Sequence, residues 1–262
     1  MDVRRTLLFV FFCLLGLTPG TAQPLSCYFE HYSIEDGLPQ YTIMDILQDR
    51  KGFMWFATWD GISKFDGHTF YNYKVQSGDT YHMNSNRIES FAEDKYGNIW
   101  LRSYDGAAHC FNPQTATFKG LQSIPGYTDY PAQIAKIEVK NSGKVWLLFE
   151  KNGCICITDS LFSAQSYNLS EGRLKGDTVY SIFEDTDKNS WILTNNGLYF
   201  VKNGQFETTP FFFENNLSRG NQSFHSAIEW KDEIWFGASQ GRIWRYKKAT
   251  GKFDLLETAA AS

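Results

Sequence analysis

Apolar and polar side chains alternate along this chain in short runs, separated by turns rich in Asp, Asn, Lys and Gly. The stretch from Phe53 to Thr58 is one such run, and the stretch from Thr69 to Tyr73 alternates aromatic and polar residues. Runs of this length with period-two alternation predict β-strands, and the turns between them predict hairpins. After residue 20 no run shows a helical period. The pattern therefore predicts an all-β chain of short antiparallel strands.

Tryptophans recur among these predicted strands at nearly constant spacing. They are Trp55, Trp100, Trp146, Trp191 and Trp235, at intervals of 45, 46, 45 and 44 residues. A period near 45 residues indicates copies of one supersecondary unit, and a four-stranded unit of that length is typical of a β-propeller blade. We therefore predict a β-propeller of about five four-stranded antiparallel blades over residues 28–256, followed by a disordered tail at residues 257–262.

Other residues keep a fixed distance from the tryptophans. Four copies place a glycine six residues after the tryptophan, namely Gly61, Gly106, Gly197 and Gly241, and three place an aspartate six residues before it, namely Asp49, Asp94 and Asp185. Equivalent positions in successive copies usually serve the fold. We therefore interpret the tryptophans as packing residues between neighbouring blades and the glycines as turn residues, in preference to five tryptophans that stack on a ligand.

The first 22 residues differ from the rest of the chain. Arg4 and Arg5 precede an apolar run from Leu7 to Leu17, and small residues follow up to Ala22. This arrangement predicts a signal peptide over residues 1–22 and an exported, periplasmic protein. A lipoprotein anchored at Cys27 is the less favoured alternative. No later run has the length of a membrane span, so none is predicted after the signal peptide.

Charge and motifs exclude several classes of function. The net charge of −4 and the absence of a basic stripe argue against a nucleic-acid partner. The common nucleotide-binding, hydrolase and metalloprotease motifs are missing, so we predict no enzyme activity and no cofactor.

The cysteines are predicted to be structural. Cys154 and Cys156 fall on one face of a predicted strand, which suits burial better than a mutual disulfide. A metal site would need these two residues together with His109 and Cys110, and this spacing matches no standard zinc pattern. No metal site is predicted.

Two stretches resemble a known family. The segment from Tyr32 to Gln40 and the copy from Ile46 to Gly67 resemble the two-component regulator propellers, Glu93 to Gly106 matches well, and the later copies match more loosely. The resemblance implies the periplasmic sensor region of a hybrid two-component histidine kinase, which typically detects glycans. Because family propellers have about seven blades, this chain resembles only the N-terminal blades of one. The kinase and membrane parts of the family are not encoded in this chain.

A ligand face is predicted at the turns between the second and third strands, because binding residues are usually carried by loops on a rigid scaffold. The candidate residues are Trp59, Asp60, Tyr104, Asp105 and Asn195. Aromatic rings beside amide and carboxylate groups suit an oligosaccharide ligand. The long connections Ser77–Asn86 and Leu121–Tyr130 should lie on the same face. Ordinary turn chemistry is the alternative explanation for these residue types.

Other functions stay open at this point. The chain could be a protein-interaction scaffold that pairs with another chain at open blade edges, or a truncated, non-signalling fragment. A propeller lyase or hydrolase is less favoured, because no cluster of His and acidic residues departs from the repeat. The segment from Cys27 to Tyr32 is expected to add an outer strand to the last blade.

Overall fold

The structure, a computed structural model, describes residues 27–74, 85–121, 124, 133–167, 174, 178–202, 204–211 and 222–256. The predicted signal peptide, the tail at residues 257–262 and most of the two long connections lie outside these residues. Residues 27–32 belong to a first compact unit and form no strand, so the outer strand expected from this segment is not observed.

The second unit, which begins at Ser33, contains five four-stranded antiparallel sheets in its described part. Each sheet uses four strands that are consecutive in sequence, which confirms the predicted all-β propeller architecture. Blade one contains β1 (Ile43–Gln48), β2 (Met54–Thr58), β3 (Gly61–Phe65) and β4 (Phe70–Tyr73). Blade two contains β5 (Ile88–Glu93), β6 (Ile99–Ser103), β7 (Ala108–Asn112) and β8 (Thr117–Gly120). Blade three contains β9 (Ile134–Val139), β10 (Val145–Phe149), β11 (Cys154–Ile157) and β12 (Ala164–Tyr167). Blade four contains β13 (Val179–Glu184), β14 (Ser190–Thr194), β15 (Gly197–Lys202) and β16 (Gln205–Phe211). Blade five contains β17 (Phe224–Trp230), β18 (Glu233–Ala238), β19 (Ile243–Lys247) and β20 (Lys252–Leu256).

Helical structure in the described residues is limited to single turns. A 3-10 turn at Ile34–Asp36 precedes blade one, and Ser33 caps it by accepting a hydrogen bond from the backbone N–H of Glu35. A second turn, Ser239–Gly241, connects β18 to β19.

Each seam between consecutive blades is filled by an indole. Trp55 of blade one packs on Phe111 of blade two at a ring-centroid distance of 5.9 Å, and Trp191 of blade four packs on Phe236 of blade five at 5.2 Å. The tryptophans of the first four copies are Trp55, Trp100, Trp146 and Trp191, and all are fully buried. Each belongs to an apolar cluster shared with the following blade. Burial of one such side chain contributes about 2–3 kcal/mol.

The fifth tryptophan differs from the other four. Trp235 is only half-buried, and Trp230 and Ile228 on the same blade are exposed. At the other end, Ile46 of blade one is 55% exposed, whereas Phe91 at the equivalent position of blade two is 8% exposed. No apolar cluster joins blade five to blade one among the described residues. The equivalence predicted for all five tryptophans is therefore corrected for the fifth copy, whose face no blade of the described residues covers.

The aspartate six residues before the tryptophan ties the first hairpin turn to the indole. In blade two, Oδ1 of Asp94 accepts a hydrogen bond from the backbone N–H of Asn98 (2.9 Å), and Oδ2 accepts one from Nε1 of Trp100 (3.0 Å). Asp49 binds Trp55 and Asp185 binds Trp191 in the same way, at 2.8 and 3.2 Å. The third copy carries Lys140 at this position, and Nε1 of Trp146 is buried without a hydrogen-bond partner.

Glutamates at the ends of first strands connect neighbouring blades. The carboxylates of Glu93, Glu184 and Glu229 accept hydrogen bonds from the backbone N–H groups of Arg50, Ser142 and Thr186 in the preceding blades, at 3.0, 2.8 and 2.7 Å. A hydrogen bond to a charged acceptor is about twice as strong as a neutral one. Adjacent acidic residues such as Glu93 and Asp94 therefore have separate tasks, one between blades and one within a blade.

At two of the repeat glycines an added side chain would also clash with a neighbouring residue. Gly61 has φ +97°, and a Cβ there would lie 2.4 Å from the carbonyl oxygen of Tyr73. Gly106 has φ +75°, and a Cβ there would lie 2.6 Å from Cβ of Gln133. Both the left-handed backbone and the close approach require glycine.

We expect Trp191→Ala and Trp235→Ala to differ in their effect on stability. Trp191→Ala removes a fully buried side chain and leaves a cavity, which should lower the free energy of unfolding by about 3–5 kcal/mol. Trp235→Ala removes a half-buried side chain and should cost about 1 kcal/mol. Urea unfolding of both variants measures the difference, and equal losses would contradict an uncovered fifth face.

Protonation of the buried side chain of His109 should lower the free energy of unfolding in acid. Its side chain is 2% exposed in β7, Nε2 has no hydrogen-bond partner, and burial lowers its pKa to about 4. The unfolded state, with an ordinary pKa near 6.5, binds more protons between these two values, so stability falls as the pH falls. The loss from this group should be about 2 kcal/mol between pH 7 and pH 4.5. Urea unfolding across this range should show a shallower pH dependence for His109→Leu than for the wild type, and parallel curves would refute the assignment.

Candidate functional site

The turns between second and third strands are fixed to the residue that precedes the first strand of the same blade. In blade two the backbone N–H of Tyr104 donates to the carbonyl of Arg87 at 2.8 Å. The same bond joins Glu150 to Gln133, Asn195 to Thr178 and Ser239 to Ser223 in blades three to five, at 2.9, 3.1 and 2.8 Å. Arg87 therefore occupies a position that is polar and uncharged in the later blades.

The side chain of Arg87 lies between two of the predicted site residues. Its guanidinium carbon is 4.3 Å from the ring centroid of Trp59 and 4.1 Å from that of Tyr104. Trp59 is 42% exposed and Tyr104 is 58% exposed, so the three side chains form an accessible surface cluster at the seam of blades one and two. Blade one is joined to this position by the backbone N–H of Gly61, which donates to the carbonyl of Asn86 at 2.7 Å. Both distances lie within the range of a cation–π contact, so the two rings attract the guanidinium.

The acidic site residues are bound to other groups. Asp60 pairs with Nζ of Lys74 at 2.8 Å, and Asp105 accepts a hydrogen bond from Oγ of Ser103 at 2.5 Å. No carboxylate pairs with Arg87 in the part of the chain that the structure describes, and its Nε is buried without a hydrogen-bond partner. The aromatic cluster therefore carries a positive charge that no described residue neutralises, in a chain whose net charge is −4.

Asn195 does not join this cluster. It lies in blade four, where its carbonyl accepts a hydrogen bond from Oγ of Ser223 at 3.0 Å and its side chain accepts one from the N–H of Thr178 at 3.4 Å. Beside that turn, Tyr180 and His225 stack at a centroid distance of 4.3 Å. The structure thus brings together Trp59 and Tyr104, places Asp60 and Asp105 in the adjoining turns, and leaves Asn195 two blades away.

A β-bulge recurs at the start of the first strand in every described blade, opposite the end of the second strand. The register with the second strand shifts around Met44, Glu89, Ala135, Tyr180 and His225. A bulge re-aims its side chain and increases the local twist. The bulge residues could not be identified from the sequence, because a bulge leaves no composition signal. Arg87 did carry a signal, because it is an arginine where the later copies have Gln, Thr and Ser.

Cysteines are not part of the site. Cys154 and Cys156 are buried in the seam between blades three and four, and Cys110 is buried in the seam between blades two and three. Burial raises the pKa of Cys156 to about 12, so its thiol stays protonated at neutral pH. The described residues contain no group of three or more His, Cys, Asp or Glu side chains that could hold a metal ion.

In the described part of the chain, no helix has the length and apolar character that a membrane crossing requires.

Comparison with known proteins gives matches in sequence and in structure. The sequence profile described as Two component regulator propeller matches residues 37–60 and 82–105. A 59-residue segment is 42% identical to Histidine kinase P4 of Formosa agariphila, and the alignment covers 22% of this chain and 4% of that protein.

Two solved structures from B. thetaiotaomicron are similar over most of the chain. The extracellular domain of the putative hybrid two component system BT3049 has a TM-score of 0.57 at 23% identity, with 86% of this chain and 31% of that chain covered. The extracellular domain of the putative hybrid two component system BT4673 has a TM-score of 0.54 at 21% identity, with 85% and 28% covered. At these identities the likeness shows the fold, and the chain spans less than a third of either solved chain. Two segments of this chain, residues 37–60 and 82–105, are thus similar to two-component regulator propeller repeats, and its fold is similar to that of extracellular domains of putative hybrid two-component systems.

Proposed function

We propose that this chain is the ligand-binding propeller of an exported, periplasmic sensor of the hybrid two-component type, and that its ligand is an oligosaccharide. The single observation that carries the proposal is the exposed pair of Trp59 and Tyr104 with Arg87 held between them. Sugar CH groups pack on aromatic faces, and sugar hydroxyls accept or donate hydrogen bonds to polar groups beside them. The cluster offers both kinds of contact on one surface.

The scaffold supports binding because both blade one and blade two hold the cluster in place. The seam indole Trp55 and the glycine turns hold blades one and two together, and the backbone bond from Tyr104 to Arg87 sets the position of the arginine. Groups fixed in advance lose little conformational entropy when a ligand binds. The turn residues therefore present a preformed surface rather than a mobile loop.

We propose binding without turnover for these residues. Two similar proteins of known structure are extracellular domains of putative hybrid two-component systems. At the cluster, Asp60 and Asp105 are engaged by Lys74 and Ser103. A general acid or base needs a carboxyl free to reach the scissile bond.

A panel of neutral and acidic oligosaccharides in a thermal-shift assay tests the proposal. Binding of one panel member should raise the melting temperature, because a ligand that binds only the folded state stabilises it. Trp59→Ala and Tyr104→Ala should each weaken binding of that member about 10-fold or more, since each removes one aromatic face.

Matched controls are available elsewhere on the surface. Trp230→Ala on blade five and Tyr71→Ala on β4 remove exposed aromatic side chains outside the cluster and should leave the affinity unchanged. Equal weakening by all four variants would refute a site at Trp59 and Tyr104. Release of shorter saccharides during incubation would favour a propeller lyase or hydrolase instead. No shift with any saccharide, combined with concentration-dependent association, would favour the protein-interaction scaffold.

A further inference from the structure

We infer that the ligand carries an anionic group, a carboxylate or a sulfate, and that the edge of the Arg87 guanidinium binds it. The inference rests on the proposed function, because it names the class of ligand for the same cluster. Its starting point is the positive charge between Trp59 and Tyr104, which lacks a counterion among the described residues.

The stacking geometry determines which part of the arginine can meet a ligand. The guanidinium carbon lies 4.3 and 4.1 Å from the two ring centroids and Nε is buried, so the terminal N–H groups are the donors that a ligand can reach. Five N–H donors lie in the plane of a guanidinium, in a fork that matches two oxygens of a carboxylate or sulfate. A ligand that approaches the terminal donors also meets the exposed surfaces of Trp59 and Tyr104.

Neither acid of the adjoining turns forms an ion pair with Arg87. Asp60 is paired with Nζ of Lys74 at 2.8 Å, so its charge is already balanced by that lysine. Asp105 is held by Oγ of Ser103 and by the backbone N–H of Ala107. The other arginine of blade two, Arg102, is by contrast paired with Glu89 and hydrogen-bonded to the carbonyl of Ile134.

The repeat shows that the arginine is not required by the fold. Blades three to five form the same backbone bond with Gln133, Thr178 and Ser223 at the position of Arg87. A neutral side chain at this position is thus compatible with the turn. Arg87 consequently supplies charge that the local structure does not need, and the aromatic residues that flank it occur in this seam alone among the five turns.

Pairs of ligands that differ only in charge test the inference. One pair is tetragalacturonate and its methyl ester, and a second is a sulfated galactan tetrasaccharide and its desulfated form. Isothermal titration should show binding of the acidic member and at least a 10-fold weaker affinity for the neutral member. Whichever pair gives binding identifies the anion as carboxylate or sulfate. Binding of the acidic member should weaken as salt rises, because salt screens exposed charges.

Variants at position 87 distinguish the effect of the positive charge on binding from the effect of the forked guanidinium geometry. Arg87→Gln, which copies blade three, should weaken binding of the acidic ligand about 10- to 100-fold, the loss typical of a hydrogen bond to a charged group. Arg87→Lys keeps the charge but lacks the fork, and should fall between the wild type and Arg87→Gln. Gln133→Ala at the equivalent position of blade three should bind like the wild type. Melting temperatures without ligand check that all three variants are folded.

The outcomes distinguish this inference from the proposed function. If a neutral oligosaccharide binds in a manner that depends on Trp59 and Tyr104, and Arg87→Gln binds it equally well, the anionic ligand is overturned while the oligosaccharide site stands. If no member of either pair and no neutral saccharide binds at millimolar concentration, both are overturned.

Discussion

The packing of one indole onto the next sheet is the contact on which the whole architecture depends. A single four-stranded sheet exposes two faces and cannot bury either alone, so each blade is stable only against a neighbour. Trp55 and the indoles of the next three copies supply that contact, and they are fully buried. Among the residues that the structure describes, Trp235 packs on no following blade, and it is half-buried. The two ends of the described stack therefore expose apolar surface of the kind that is buried between the interior blades.

The polar atoms at these seams allow the energy of burying an indole to be compared with the energy of its hydrogen bond. Asp94 satisfies the indole N–H of Trp100 as well as the turn, and the same arrangement occurs in the first and fourth copies. Trp146 lacks the aspartate, and its N–H is buried without a partner. An unsatisfied buried donor costs about 1–3 kcal/mol, and burial of the indole itself contributes a similar or larger amount. Apolar packing thus keeps Trp146 in place without its hydrogen bond.

Function can be added to this scaffold because the fold leaves the turn residues free to vary. The glycine and the backbone bond at the turn recur from blade to blade, whereas the adjoining side chains change from Trp59 and Tyr104 to Glu150, Asn195 and Ser239. The rigid repeat specifies where a side chain is placed but not its chemistry. The cluster at blades one and two departs from the other turns in three side chains at once, which makes it the chemically distinct part of the turn face.

The sequence by itself determined the repeat, the strand order within each blade and the turn glycines. Tryptophan, aspartate and glycine recur with a period of about 45 residues, and this period can be measured without a structure. It also singled out Trp59 and Tyr104, which follow a strand at fixed positions. Only the tertiary structure showed that Arg87 lies between these two rings and that Asn195 is remote, because these placements depend on how separate blades pack. It likewise showed that no sheet of the described residues covers Trp235: the spacing makes five tryptophans equivalent, but burial depends on whether a neighbouring sheet is present.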